Sequence, residues 1–165
     1  MSVTNTLDSY LLNKACAYDT VPHEFSTSAS ESALLAAVPM KQVVKAVVVH
    51  DHSHYMLAAI PAMNKVILPQ LEEITGSRNV LAKESEIKRI FGDCEAGAVP
   101  AIGQAYGVDV IWDDALAEGD DLYIEAGDHR NLIHLKGDQF KQLMKHNPHG
   151  QISCAPEELY EMSHF

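Results

Sequence analysis

Three groups of residues in this chain have the types and spacing to do chemistry. The first is the stretch from Phe91 to Gly107. There Gly92, Gly97, Pro100, Gly103 and Gly107 interrupt apolar residues too often for a helix or a central strand. It reads as an ordered loop. Glycine lets backbone N–H groups approach a ligand closely, and the fixed φ of Pro100 holds Gly97, Ala98 and Val99 in one conformation. The same residues also suit a tight connection crossing under a sheet, and their types alone weigh the two readings equally.

The second is Lys45, a charged side chain inside the valine-rich run from Gln42 to His50. It must reach water, a counter-charge or a ligand, and snorkelling to the surface is the plainer outcome. The third is the turn Gly127-Asp128-His129, where Asp128 and His129 are candidates for holding a water or a substrate's amino group. A solvated hairpin turn accounts for them equally well.

Other constellations are weaker. His50, His52 and His54 alternate as metal ligands on a strand would. The intervening Asp51 and Ser53 read as a turn, which scatters the three rings. Cys94 beside Glu95 has no histidine in a fixed relation to it, and a buried small residue is its ordinary role. His146, His149 and His164 are expected at the surface.

The elements that would position these residues follow from periodicity. Leu7, Tyr10, Leu11 and Ala15 mark an amphipathic helix from Leu7 to Cys16, with an extended segment from Ala17 to Glu24. Ser28-Ala29-Ser30-Glu31 has the capping-box form and opens a helix running to about Val38, before Pro39. Gln42 to His50 and His54 to Ile60 form a hairpin. Further helices are predicted over Pro69 to Thr75, Glu84 to Phe91 and Asp138 to Lys145. Further strands fall at Asn79 to Ala82, Val108 to Trp112, Asp121 to Ala126 and Leu132 to Leu135. After Pro148 the tail is irregular apart from one turn at Pro156 to Met162. This mixture predicts an α/β domain on a mixed sheet.

At 165 residues the chain makes one domain, 1–165, with a less regular tail from about 146. Three cysteines at wide spacing suggest neither a disulfide framework nor a zinc ribbon. The longest apolar run, Met56 to Met63, is far below the ~20 residues that span a bilayer. The polar start gives no signal peptide. A soluble cytoplasmic protein is expected, with no membrane or DNA partner.

The net charge of −11 argues against a general nucleic-acid binder. Its distribution is uneven. Asp93 to Asp128 holds ten acidic residues and no Lys or Arg, whereas Lys41 to Arg89 holds seven basic residues against five acidic. A mildly basic region can therefore face a partner, or both can be ordinary solvated surface.

Cys94-Glu95-Ala96-Gly97-Ala98-Val99-Pro100-Ala101-Ile102-Gly103 resembles the glycine/proline loop of the YbaK/EbsC family, the prolyl-tRNA-synthetase-associated editing domains. Val43-Val44-Lys45-Ala46-Val47-Val48-Val49 is similar to that family's lysine-bearing strand. Glu125-Ala126-Gly127-Asp128-His129-Arg130 is similar to its late glycine turn. The three matches come in the family's order, with fitting elements from about Leu7 to Met144.

The resemblance implies a curved, barrel-like mixed β-sheet flanked by helices. It implies a trans-editing aminoacyl-tRNA deacylase that hydrolyses tRNA mischarged with a small amino acid such as alanine, serine or cysteine. No cofactor or metal is expected. The partners would be the acceptor end of the mischarged tRNA and, where recruitment needs one, a synthetase. Gly97, Ala98 and Val99 would stabilise the oxyanion and Lys45 would orient the ester or bind a phosphate. Pro100, Gly127, Asp128, His129 and Ala46 would shape the substrate site.

Ala46 departs from a family position often holding a hydroxyl or amide, and Ala96 stands where many members have glycine. Two other readings stay open: a non-catalytic module binding tRNA or a synthetase, and a metal-dependent hydrolase built on His50, His52 and His54.

Overall fold

A computed structural model describes residues 4–162. The expectations for Met1 to Val3 and for His164 lie outside the described residues. In chain order the elements are α1 (Asn5–Asn13), β1 (Asp19–Pro22), α2 (Ala29–Ala36), β2 (Val43–His50), β3 (Tyr55–Pro61), β4 (Lys65–Val66), α3 (Leu68–Thr75), β5 (Val80–Leu81) and α4 (Glu84–Ile90). After the long loop come β6 (Asp109–Asp113), β7 (Asp121–Glu125), β8 (Asn131–Lys136), α5 (Gly137–Met144), β9 (His149–Gly150), β10 (Ser153–Cys154) and α6 (Pro156–Met162). Short 3-10 turns lie at Met40–Gln42, Gly103–Tyr106 and Asp114–Glu118.

The hairpin of β2 and β3 is the centre. Its register runs from Val44 opposite Pro61 to His50 opposite Tyr55. On one side β3 lies parallel to β6, and β6 parallel to β9. On the other, β2 lies parallel to β7, which pairs antiparallel with β8, and β8 with β1. The sheet is therefore mixed, in the order β1-β8-β7-β2-β3-β6-β9, while β4 and β10 pair separately.

Period-two alternation divides β2 between two cores. Val44 and Val48 join Leu57, Ala59, Trp112, Ile124, Leu7, Leu11 and Phe140 in the larger one. Val49 packs with Ala58, Ile60, Leu71 and Ile111 on the opposite face, and Val43 packs with Ala33 and Ala62. Both faces of the central strands are covered, which is why they read as nearly continuous apolar runs.

One feature of β2 positions the site. It pairs with β7 through Val43 and Val44, and with β5 through Val49 and His50. Between those contacts, along residues 45–47, this edge of β2 has no strand partner among the described residues, and at Val48 the carbonyl accepts from the Ala82 amide just past β5 at 2.9 Å. The neighbouring strands have diverged, and the gap opens as a cleft.

Three local differences from the sequence reading have simple causes. α2 ends at Ala36 because Ala37 turns left-handed at φ 57, leaving Val38 outside the helix ahead of Pro39. Ser28 caps α2 by accepting from the Glu31 amide at 3.1 Å, but the Glu31 carboxylate accepts from the Thr27 hydroxyl instead of reaching back to Ser28. In the tail, β9 and β10 are two-residue strands, too short to show any periodicity.

Candidate active site

The cleft beside β2 measures about 230 Å³ and is lined by Lys45, Ala46 and Val48 of β2, Thr27 to Ala29 at the start of α2, Glu84 and Ile87 of α4, Gly97 and Val99 of the loop, and Glu125 at the end of β7. Lys45 and Gly97, 52 positions apart in the chain, thus share one wall-to-wall space. An apolar recess of about 190 Å³ adjoins it, with Glu84, Ile87 and Val99 in common and Phe91 and Cys94 at its back. A larger groove of about 870 Å³, lined among others by Met40, Met63 and Leu116, includes none of the sequence-predicted site residues.

The loop wall is built around a tight turn. The Ala98 amide donates to the Glu95 carbonyl at 3.0 Å, and Gly97 sits in the third turn position at φ 81, as a type II turn requires. A Cβ on Gly97 would stand 3.3 Å from the Thr27 carbonyl oxygen and 3.4 Å from Cε1 of His129. The Glu95 amide ties the turn to the Gly127 carbonyl at 2.7 Å, and the His129 Nε2–H donates to the Ala96 carbonyl in a short bond. Ala98, Pro100, Ala101 and Ile102 are then buried, so the loop is fixed at both ends.

These bonds correct the expected donor set. The Ala98 amide is spent inside the turn, and Pro100 has no N–H. The amides of Gly97 and Val99 have no partner among the described residues, and both residues line the cleft. Of the expected trio, Gly97 and Val99 remain available donors, while Ala98 anchors.

Lys45 is half-buried, and its Nζ has no hydrogen-bond or ion-pair partner among the described residues. Burial, with the charge of Lys65 second, pulls its amine below the ordinary lysine range. An unpaired, partly desolvated cation on a cleft wall favours an incoming anion. Ala46 leaves the neighbouring lining without a polar side chain.

The late turn departs from its expected role in contacting substrate. Gly127, Asp128 and His129 do not line the cleft; they hold its wall in place. Gly127, at φ 102, allows Thr4 to pack where a Cβ would lie 2.4 Å from Thr4 Cγ2. Asp128 Oδ1 accepts from the Arg130 and Asn131 amides at 2.9 and 3.0 Å, the ordinary use of an aspartate in a turn. His129, left-handed at φ 60 and buried, spends Nε2 on the Ala96 carbonyl and packs edge-on against Phe25.

Sequence reasoning missed Glu125. It is 2% exposed, and Oε1 accepts from the Ser32 hydroxyl at 2.6 Å, which lies 2.6 Å from the buried Ser26 hydroxyl. Oε2 is buried with no hydrogen-bond partner among the described residues. Burial pushes the carboxyl up to about 7; Ser32 opposes that shift and Asp128 adds to it. The one available signal was a charged residue following Leu122, Tyr123 and Ile124 at the end of the strand, just before the glycine turn.

The remaining candidates fall outside the cleft. His52 takes φ 73 in the hairpin turn, where Asp51 Oδ1 accepts from the Ser53 and His54 amides. Among the described residues no group of three or more His, Cys, Asp and Glu is arranged to hold a metal ion. Cys94 is buried in the adjoining recess beside Tyr106, and its thiol is pushed up to about 12, mainly by burial. That suits packing rather than nucleophilic attack. His146 and His149 are exposed, and His149 pairs with Asp114 at 2.6 Å.

The sequence from residue 23 to residue 143 matches the family model of the aminoacyl-tRNA editing domain, the YbaK family. The chain belongs to that family. No curated protein matches the sequence. Two solved structures show how closely the editing-domain fold is shared. The hypothetical protein APE2540 superposes with a TM-score of 0.81 at 16% identity, covering 91% of this chain and 100% of that one. A candidate trans-editing enzyme for prolyl-tRNA synthetase superposes with a TM-score of 0.77 at 17% identity, covering 93% of this chain and 100% of that one. As the resemblance implied, this editing domain is a mixed sheet flanked by helices. No helix among its described residues is long and apolar enough to cross a membrane.

Proposed function

We propose that this editing domain acts in trans as a deacylase, hydrolysing the ester of a tRNA mischarged with a small amino acid of the alanine, serine or cysteine type. The observation that carries this reading is the meeting of Lys45 with the unpartnered amides of Gly97 and Val99 on one cleft.

Water attacks the ester carbonyl and gives up a proton, forming a C–O bond and an oxyanion; that proton is the one returned to the leaving oxygen. Collapse breaks the bond to the ribose oxygen, which takes up a proton, and releases amino acid and tRNA. Two rigid amides suit that oxyanion, each worth about 2.7–4 kcal/mol of transition-state stabilisation. Lys45 supplies a positive point charge for the terminal phosphate or the ester. The apolar recess behind Ile87 and Val99 suits the terminal base. A cleft of about 230 Å³ suits a small side chain, although each added methylene shifts selectivity by only ~1–3 kcal/mol.

The test is release of amino acid from a panel of mischarged tRNAs by wild type and Lys45→Ala. Release by wild type, strongly reduced in the variant, supports the reading. Equal rates remove Lys45 from the mechanism, and tRNA binding without release from any tRNA makes the domain a binding module. Metal-dependent release would favour the histidine hairpin.

A further inference from the structure

Glu125 is a buried carboxylate with half of its hydrogen-bonding capacity unused. Ser32 holds Oε1, and Ser26 holds Ser32, so the group has a fixed orientation. Oε2 has no hydrogen-bond partner among the described residues, yet Glu125 contributes to the cleft lining. Neither protonation state removes this deficit, because an ionised Oε2 lacks a donor and a protonated one lacks an acceptor. Such an orphan on a side chain that forms part of a cleft wall calls for a ligand group.

In its ionised form the carboxylate takes a donor, and in a desolvated wall it favours a cation, whose arrival itself draws the proton off. Lys45 and Glu125 each follow the last β2–β7 register pair, Val44 with Ile124, and both line the cleft, but they make no ion pair among the described residues. The cation therefore comes with the substrate. Every aminoacyl ester carries one, the α-ammonium, a single carbon away from the carbonyl. With the carbonyl at Gly97 and Val99, a cleft this small keeps the ammonium within reach of the Glu125 wall.

We propose that Glu125 receives the α-ammonium group of the substrate's amino acid, so that a free amine is a condition of recognition. This rests on the deacylase reading and adds a specificity residue to it. Selection by the ammonium is independent of the side chain, so it separates aminoacyl esters from N-blocked ones without distinguishing one small amino acid from another.

The experiment uses two non-hydrolysable probes, 3′-alanylamino-3′-deoxyadenosine and its 3′-propionylamino counterpart, which differ only by the ammonium. Calorimetric or NMR titration is carried out on wild type and Glu125→Gln, with thermal melting to verify folding. Wild type should bind the alanyl probe at least tenfold more tightly, and Glu125→Gln should reduce that preference to threefold or less. Equal affinity in wild type, or a preference retained in a folded Glu125→Gln, overturns the proposal. If Glu125→Gln does not fold, Ser32→Ala replaces it, and an undiminished preference there overturns the proposal too. Because the titration needs no turnover, a tRNA panel without release would sink the deacylase reading while leaving this result to stand or fall by itself.

Discussion

His129 donates from Nε2 to the Ala96 carbonyl, and the same ring lies where a side chain on Gly97 would have to go. A residue at the end of the late turn thereby sets the conformation of the loop that lines the cleft. Replacing His129 with alanine removes a buried bond and a packed ring, costing on the order of 2 kcal/mol. Deacylation should fall at least tenfold, while a nearby surface change such as Arg130→Ala should not. Thermal melts and kcat/KM on one mischarged tRNA decide it.

Gly97→Ala places a Cβ at φ 81 against Thr27 and His129. Left-handed strain alone costs an alanine about 1–2 kcal/mol. The expected outcome is a moderate drop in Tm with a larger loss of kcat, since the amide donors move. A variant with wild-type kcat would show that the loop amides do not meet the transition state.

Lys45→Ala should leave stability nearly unchanged, because Lys45 has no partner to lose among the described residues. Activity should drop ~10²-fold or more, the scale of losing one electrostatic contact in a preorganised site. Lys45→Arg, with the charge spread over a planar fork, should recover only part of it.

Glu125 makes stability depend on pH. Its folded-state pKa of about 7 lies above the ordinary glutamate value of 4.5, so the native state keeps a proton that the unfolded chain has released. Stability therefore falls as pH rises from about 4.5 to about 7, by on the order of 3 kcal/mol in all. Denaturant melts at pH 5 and pH 8 should show this loss in wild type and a smaller one in Glu125→Gln. A larger loss in the variant would contradict the assignment.

Gly127→Ala should be among the most damaging single changes, because its Cβ would lie 2.4 Å from Thr4 Cγ2 at a φ of 102. Thr4→Ser removes that methyl and should rescue part of the stability but not the backbone strain. Additive effects in the double-mutant cycle would contradict the contact.

Much of this protein was decided locally. Ser28 capped its helix because a short hydroxyl side chain can accept a helix-start amide wherever it falls in the fold. Gly76 ended α3, and the valines of β2 formed a buried strand with Lys45 inside it, from nearest-neighbour preferences alone. The Gly97–Pro100 loop was recognisable because glycine and proline constrain their own backbone.

What the tertiary structure decided was who meets whom. The parallel pairing of β2 with β7 brings Glu125 and Lys45, 80 positions apart in the sequence, to one cleft. Only folding shows that Asp128 and His129 hold the wall while Glu125 lines it, and that the Ala98 amide is consumed. Periodicity states which face of a strand is apolar, but it carries no information on strand order or register. Those are set by closing long loops and packing both faces of the sheet together, and the cleft exists because β5 and β7 part along β2.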